Sequence, residues 1–96
     1  MKTIQADKTG LRLRLYIAGN APNSLLAISN LKAICEEHFT TGCVLETIDL
    51  LVHPGRALAD SIIVTPTLVK FYPLPVQKVI GTLSDTNQVC VALGVK

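Results

Sequence analysis

Three cysteines and two histidines are the side chains of this chain best suited to redox chemistry or metal binding. Cys35, Cys43 and Cys90 form an odd set with no Cys-x-x-Cys spacing. His38 lies three residues after Cys35 and His53 ten residues after Cys43, but no second ligand pair completes the four-ligand pattern of a zinc site. The spacing therefore predicts neither a disulfide framework nor a metal site. Free and mostly buried thiols are the simpler interpretation.

Two proline steps mark the places where a thioredoxin-like domain has its dithiol loop and its cis-proline. Residues 20–23, Asn-Ala-Pro-Asn, occupy the positions of a Cys-Gly-Pro-Cys dithiol motif. Residues 65–67, Thr-Pro-Thr, contain the proline that corresponds to the cis-proline. Asparagine has no thiolate, so this loop does not support thiol–disulfide exchange by the usual route. We therefore predict a binding protein without catalytic residues. Asp49, near a strand end, is interpreted as a local hydrogen-bonding group.

Length and composition predict one small domain. The 96 residues leave room for a single core, expected over residues 11–96, with residues 1–10 as a flexible polar leader. A net charge of +2, with no stripe of Lys and Arg, argues against nucleic-acid binding. No apolar run approaches the roughly 20 residues of a membrane-spanning helix, and the polar residues 1–10 carry no apolar core of the kind a signal peptide has. The sequence predicts a cytoplasmic protein that needs no cofactor.

The periodicity of the first half predicts a strand–helix–strand unit. Residues 11–17 alternate between apolar and polar side chains, which predicts a strand with one buried face. Pro22 suits the first position of a helix, and residues 22–38 carry apolar side chains at spacings of three and four. Residues 43–51 form the second strand, parallel to the first. The residues expected on buried faces are Leu25, Ile28, Leu31, Ile34 and Cys35 in the helix and Val44, Ile48 and Leu50 in the second strand.

The second half predicts a short helix, a hairpin and a final helix. The expected elements are a helix at residues 56–61, strands at 67–72 and 76–80, and a helix from 85 to 93. Pro73-Leu74-Pro75 separates the two strands, which is typical of a hairpin connection. Ser84 is the expected N-cap, Asp85 suits the first turn, and Gly94 ends the last helix. The resulting order, βαβαββα, is an α/β, thioredoxin-like layout.

The last segment carries two overlapping patterns. Val89, Val91 and Leu93 alternate with smaller residues, which is typical of a strand. Val89 and Leu93 are also four residues apart, as on one face of a helix. Valine favours a strand, whereas the Ser84 cap and Ala92 favour a helix. Two interpretations stay open at this point. Either the run is ambiguous because it is short, or the chain adopts two folds whose free energies differ by a few kcal/mol.

An ordered series of blocks along the chain is more specific than any one block. The blocks are Leu15-Tyr16-Ile17-Ala18-Gly19-Asn20-Ala21-Pro22-Asn23-Ser24, Ile48-Asp49-Leu50-Leu51 followed by Pro54, Val64-Thr65-Pro66-Thr67-Leu68, Pro73, Pro75-Val76, and Ile80-Gly81-Thr82-Leu83-Ser84-Asp85. In this order they resemble the KaiB family of small circadian clock proteins. The resemblance extends from about residue 11 to residue 93.

The resemblance implies a metamorphic regulator. Family members are stored as a homo-tetramer with a βαββααβ ground-state fold and convert slowly to a thioredoxin-like monomer. The monomer docks on the first ATPase ring of KaiC, sequesters KaiA and affects histidine kinases of the SasA and CikA type. The rearranged part is the C-terminal half. Isomerisation of X–Pro bonds, which takes tens of seconds or longer, is the expected reason for the slow conversion.

The resemblance also implies three sets of site residues. The KaiC-binding surface is expected at Arg56, Leu58, Ala59, Asp60 and Ser61. The KaiA-facing second strand contributes Cys43, Val44 and Glu46. The determinants of fold switching are expected at Pro66, Pro73, Pro75, Gly81, Asp85, Ala92 and Gly94. The residues alone favour a plainer interpretation of Arg56 and Asp60, as a solvated helix face.

Several positions depart from the family pattern. Ser61 stands where members usually have a basic residue, and Cys43 and Glu46 stand where they offer Tyr and Lys toward KaiA. Ala21 replaces a threonine cap, a loss of about 1 kcal/mol. Ala92 replaces a common glycine and predicts a larger population of the thioredoxin-like form. These departures keep a second function open, that of a KaiB-like paralogue that binds proteins in stress response or signalling without a full clock. A thioredoxin-type thiol enzyme is the third and least favoured class.

Overall fold

The computed structural model describes residues 11–39 and 43–94. Within these residues the elements are β1 (Leu11–Ile17), α1 (Pro22–His38), β2 (Cys43–Asp49), α2 (Gly55–Ala59), β3 (Thr67–Tyr72), β4 (Gln77–Ile80) and α3 (Thr86–Leu93). The predicted order βαβαββα and the α/β class are confirmed. The predicted leader of residues 1–10 lies outside the described residues.

A four-stranded mixed sheet with the order β2-β1-β3-β4 forms the centre of the domain. β1 pairs in parallel with β2, starting at Leu11 and Cys43, as the strand–helix–strand prediction requires. β3 runs antiparallel to β1, with Tyr16 opposite Thr67, and β4 returns antiparallel to β3, with Thr67 opposite Ile80. β1 is therefore a central strand, with a hydrogen-bonded neighbour along each edge.

The main core lies between the sheet and the helices α1 and α3. Its members are Leu11, Leu13, Leu15, Ile17, Ala27, Leu31, Ile34, Leu68, Val79, Leu83, Val89, Cys90 and Leu93. The predicted helix is confirmed, but the expected burial of Leu25 is wrong, since its side chain is 50% exposed. Ser24 takes the buried position instead, because its Oγ accepts a hydrogen bond from the Ala18 N–H at 3.1 Å. That bond holds the first turn of α1 against the end of β1.

A smaller core covers the opposite face of the sheet and consists of Tyr16, Ile48 and Ile62. The expectation that β1 has a single buried face is therefore wrong at Tyr16, which is buried under the segment that follows α2. Val44 was expected beside Ile48 on a buried face, but it is 63% exposed. The residues that cover this face pack on the Ile48 end of β2 and leave the Val44 end open.

The C-terminal segment is helical in this structure. Its N-cap is Asp85, whose carboxylate accepts a hydrogen bond from the Gln88 N–H at 3.1 Å, so the prediction of Ser84 as the cap is wrong by one residue. The Ser84 Oγ instead bonds the Thr82 Oγ1 at 2.7 Å. Gly94 ends the helix in the left-handed conformation, with a φ of 89°, as predicted from its position. Left-handed backbone at a helix C-terminus is the role for which glycine is favoured.

The backbone after β2 contains several unusual conformations. The peptide bonds before Pro66, Pro73 and Pro75 are cis. Ser61 and Leu83 have positive φ angles of 60° and 63°, which are uncommon for residues other than glycine. Both residues lie in the connections on either side of the β3–β4 hairpin.

Candidate functional site

An apolar surface surrounds the short helix α2 and the end of β4. We call it the α2 face and define it by Pro54, Leu58, Ser61, Ile63, Val64 and Ile80. Leu58 is 88% exposed and Ile63 is 94% exposed, which are the highest values among the exposed large hydrophobic residues of the described chain. A groove of about 530 Å³ is lined by Leu58 and Ile63, and a second of about 100 Å³ by Ile63 and Ile80. The two grooves adjoin through shared residues and form one continuous apolar surface.

The backbone at the end of α2 explains why these side chains face outward. The Ile62 N–H donates to the Ala57 carbonyl at 2.8 Å, and the Ser61 N–H donates to the Leu58 carbonyl at 3.3 Å. This pair of bonds is the Schellman motif, with Ser61 at the left-handed position that glycine normally occupies. The motif turns the chain so that Ile62 enters the smaller core and Ile63 faces outward.

The carboxylate of Asp60 connects α2 to the sheet. The Tyr16 hydroxyl donates to Asp60 Oδ2 at 2.6 Å, and the Arg56 Nε donates to the same oxygen at 3.1 Å. The Arg14 guanidinium lies 3.8 Å away. The hydrogen bond from Tyr16, followed by the bond and charge of Arg56, lowers the pKa of Asp60. Burial, followed by the bond to Asp60, raises the pKa of Tyr16.

Arg14 extends this polar cluster from α2 across the sheet to β2. Its Nε donates to Glu46 Oε1 at 3.0 Å, and its guanidinium lies 4.7 Å from the centre of the Phe71 ring. The hydrogen bond to Tyr16 is the largest influence that raises the pKa of Arg14. Glu46 belongs to the predicted KaiA-facing strand, and Asp60 belongs to the predicted KaiC-binding surface. Arg14 and Tyr16 connect these two carboxylates in one polar cluster.

The predicted KaiC-facing residues divide into two groups in the structure. Leu58, Ala59 and Ser61 are exposed on or beside the α2 face. Arg56 and Asp60 instead bond each other, and Asp60 also bonds the sheet, so the interpretation of both as a purely solvated helix face is wrong.

The structure adds residues that the sequence interpretation missed. Arg14 and Tyr16 are alternate residues of β1 and so share one side of the strand, which is the signal in the sequence that they can act together. Ile63 and Val64 belong to an apolar run at residues 62–64, in which periodicity gives no signal that only Ile62 is buried.

The remaining predicted residues do not gather in one place. On β2, Cys43 is half-buried while Val44 and Glu46 are exposed. The expected fold-switching residues are spread over the C-terminal half. Pro66 is buried, Pro73, Pro75, Asp85 and Gly94 are exposed, and Gly81 and Ala92 are half-buried.

Two features bear on catalysis and metal binding. Asp49 Oδ1 accepts the N–H groups of Gly19 at 3.0 Å and Leu51 at 2.9 Å, which is the local role predicted for it. In residues 11–39 and 43–94, no three side chains of His, Cys, Asp or Glu gather as a metal site would need.

No helix within the described residues has the length and apolar character needed to cross a membrane.

The fold and the site define a thioredoxin-like domain that lacks the dithiol and exposes an apolar face. Among solved structures, the N-terminal domain of SasA from Synechococcus elongatus is 27% identical, with a TM-score of 0.73, and the match covers 92% of this chain and 87% of that domain. Chloroplastic thioredoxin z shares the fold at 20% identity and a TM-score of 0.72, over 91% of this chain and 79% of its own. The thioredoxin-like prediction is confirmed.

Sequence comparison gives the family. Residues 14–95 match the KaiB domain. The circadian clock oscillator protein KaiB of Nostoc punctiforme is 48% identical over 90 residues, which are 94% of this chain and 86% of that protein. The KaiB protein of Microcystis aeruginosa is 49% identical over 81 residues, which are 84% of this chain and 78% of that protein. The chain belongs to the KaiB family of circadian clock proteins, which are regulators and not known enzymes.

Proposed function

We propose that this chain is a non-enzymatic clock regulator that docks, in the thioredoxin-like form, on the ATPase ring of KaiC in the cytoplasm. The observation that carries the proposal is the exposure of Leu58 and Ile63 side by side on the α2 face. A continuous apolar surface of this kind is typical of a site that a protein partner covers. Family membership supports KaiC as the partner.

The polar cluster supports docking by holding the α2 face in place before a partner arrives. Asp60 is bonded by Tyr16 from β1 and by Arg56 from α2 itself. Ile62 also packs against Tyr16 and Ile48. A preorganised surface loses less conformational entropy on binding, so more of the contact free energy appears as affinity.

The test is a matched pair of leucine substitutions. Leu58→Ser on the α2 face should weaken binding to a KaiC ring with bound nucleotide by at least about tenfold, as loss of a central apolar contact does. Leu74→Ser is the control, because Leu74 is 75% exposed and lies in the β3–β4 connection at the opposite end of the hairpin from Ile80. Equal binding by both variants, measured by surface plasmon resonance, contradicts the proposed docking face.

Contact with KaiA is the least supported part of a full clock function. Glu46 lies on the predicted KaiA-facing strand, but Arg14 engages its carboxylate at 3.0 Å. This pairing favours the second candidate, a KaiB-like paralogue that binds a KaiC-type ATPase and acts in stress response or signalling. Size-exclusion chromatography of the chain with KaiC, with and without KaiA, separates the two. A ternary complex supports the clock function, and a binary complex alone supports the paralogue.

We also propose competition with kinase sensor domains and a second fold. The likeness to the SasA domain supports competition for one site on KaiC, because two domains of similar shape would cover the same surface. The exposed Val91 on α3, within a strand-like pattern, supports interconversion with the βαββααβ homo-tetramer. Analytical ultracentrifugation tests this part, and a monomer at every concentration would contradict the tetramer.

A further inference from the structure

Two cysteines from consecutive elements of the chain lie side by side at one end of the domain. Cys35 belongs to the last turn of α1, and Cys43 is the first residue of β2. Their sulfur atoms are 3.3 Å apart. Both side chains are half-buried and pack against the edge of the main core. Neither cysteine belongs to the loop at residues 20–23, where a thioredoxin-type dithiol would stand.

The surroundings of the pair give its two thiols different roles. Burial raises the pKa of the Cys35 thiol to about 12, and the hydrogen bond and charge of Cys43 add to the increase. Cys35 is therefore protonated at neutral pH, so the first attack on an external disulfide is assigned to Cys43, at the start of the edge strand β2. The sulfur–sulfur distance exceeds the bond length of a disulfide, about 2.0 Å, by little more than 1 Å. Closing the bond needs only a small movement of the two side chains.

We propose that Cys35 and Cys43 form a reversible intramolecular disulfide by exchange with a low-molecular-weight disulfide such as glutathione disulfide. The Cys43 thiolate attacks one sulfur of that disulfide, forms a mixed disulfide and releases one thiolate. Cys35 then gives its proton to solvent and attacks the Cys43 sulfur, which forms the protein disulfide and releases the second thiolate. The protein loses two electrons and two protons, and the small disulfide is reduced to two thiols.

The bond would connect the end of α1 to the start of the edge strand β2. Cys90 takes no part, because its side chain is 1% exposed in the core on α3. This modification does not depend on the proposed binding to KaiC. Its failure would leave the proposed docking function untouched.

The experiment incubates the native, reduced chain with glutathione disulfide, followed by acid quenching and mass spectrometry. The wild type should lose two hydrogen atoms, and the linked form should exceed the glutathione adduct by roughly tenfold, because the second thiol is already in place. Cleavage after Glu36 or Glu37 separates the two cysteines, so a disulfide-joined peptide identifies the bond. Treatment with dithiothreitol should reverse it.

Single variants provide the matched controls. Cys35→Ser should stop at one glutathione adduct on Cys43, whereas Cys90→Ala should form the linked species as the wild type does. A wild type that accumulates glutathione adducts without a linked peptide overturns the proposal. So does a linked peptide that forms only in urea or that contains Cys90.

Discussion

The two halves of this domain differ in how well their local sequence agrees with their fold. The N-terminal half comprises β1, α1 and β2, and the C-terminal half comprises α2, β3, β4 and α3. Among the described residues of the N-terminal half, only Gly19 has a positive φ angle. In the C-terminal half, Ser61 and Leu83 have positive φ angles, in addition to two glycines. The strand and helix patterns also overlap only in the C-terminal half.

This difference indicates where a second arrangement of the chain is plausible on physical grounds. A left-handed conformation costs a residue such as Leu83 about 1–2 kcal/mol. Val91 stands on an exposed position of a helix, where a β-branched side chain has no packing to offset its low helix propensity. Local preferences that disagree with the global fold reduce the free-energy gap to competing folds. The N-terminal half shows no comparable disagreement and acts as a scaffold.

The largest expected effect is the loss of stability caused by a cavity in the core of the N-terminal half. Leu31 on α1 is 0% exposed, so Leu31→Ala should lower the free energy of unfolding by about 2–5 kcal/mol. Urea denaturation measures the change. Leu25→Ala on the same helix is the control, because its side chain is 50% exposed and its loss should cost no more than about 0.5 kcal/mol. Similar losses for the two variants would mean that α1 packs on a different face.

The next effect concerns the helix that carries both patterns. Asp85→Ala removes the carboxylate that caps α3 at the Gln88 N–H and should destabilise the helix by about 1 kcal/mol. If a second fold is close in free energy, strand-type chemical shifts for residues 86–93 should appear in NMR spectra. Thr86→Ala is the control, because it leaves the cap in place. If residues 86–93 of Asp85→Ala show the same helical chemical shifts as in the wild type, the two folds are not close in free energy.

A smaller effect, of opposite sign, is expected at the end of α2. Ser61→Gly removes the cost of a left-handed serine and should stabilise the protein by about 0.5–1 kcal/mol, after the extra entropy of glycine in the unfolded chain is subtracted. Ala59→Gly, two residues earlier and inside the helix, should instead destabilise by about 0.5–1 kcal/mol. Thermal unfolding compares the two variants. A shift in the same direction for both would contradict the Schellman geometry.

The smallest effect is a pH dependence of the contact between α2 and the sheet. The hydrogen bond from Tyr16 is the main cause that lowers the pKa of Asp60 in the folded state. Because folding lowers this pKa, the ionised carboxylate stabilises the folded state at pH values above the ordinary pKa of about 3.9. That stabilisation is lost as the pH falls through the folded-state pKa. Tyr16→Phe should therefore raise the pKa of Asp60, measured by NMR titration of its carboxyl carbon. Tyr72→Phe is the control and should leave that titration unchanged.

Most elements were predictable because their apolar residues keep a strand or helix spacing over many consecutive residues. The alternation at residues 11–17 and the helical spacing at residues 22–38 predict β1 and α1 with the bounds that the structure has. The last helix was predicted with its C-terminal glycine, but its cap was placed on Ser84. Serine and aspartate are both strong caps, and only the backbone shows that the carboxylate of Asp85 reaches the Gln88 N–H.

The candidate site was predictable only in part. A resemblance in ordered blocks pointed to α2, and Leu58, Ala59 and Ser61 are indeed exposed there. The role of Asp60 was not visible, because its partner Tyr16 lies 44 residues away in sequence. The exposure of Ile63 depends on a left-handed residue that is not glycine, and no sequence rule predicts such a residue.

The order of elements, the absence of a dithiol at residues 20–23 and the membership of the KaiB family all follow from the amino-acid sequence, because each depends on the identity and spacing of neighbouring residues. Tertiary structure alone decided which apolar residues stay exposed, which polar groups bond to one another, and that Cys35 lies beside Cys43. The physical reason is that burial and side-chain contacts depend on how distant segments pack. The periodicity of a segment shows which face it buries but not what covers the other face.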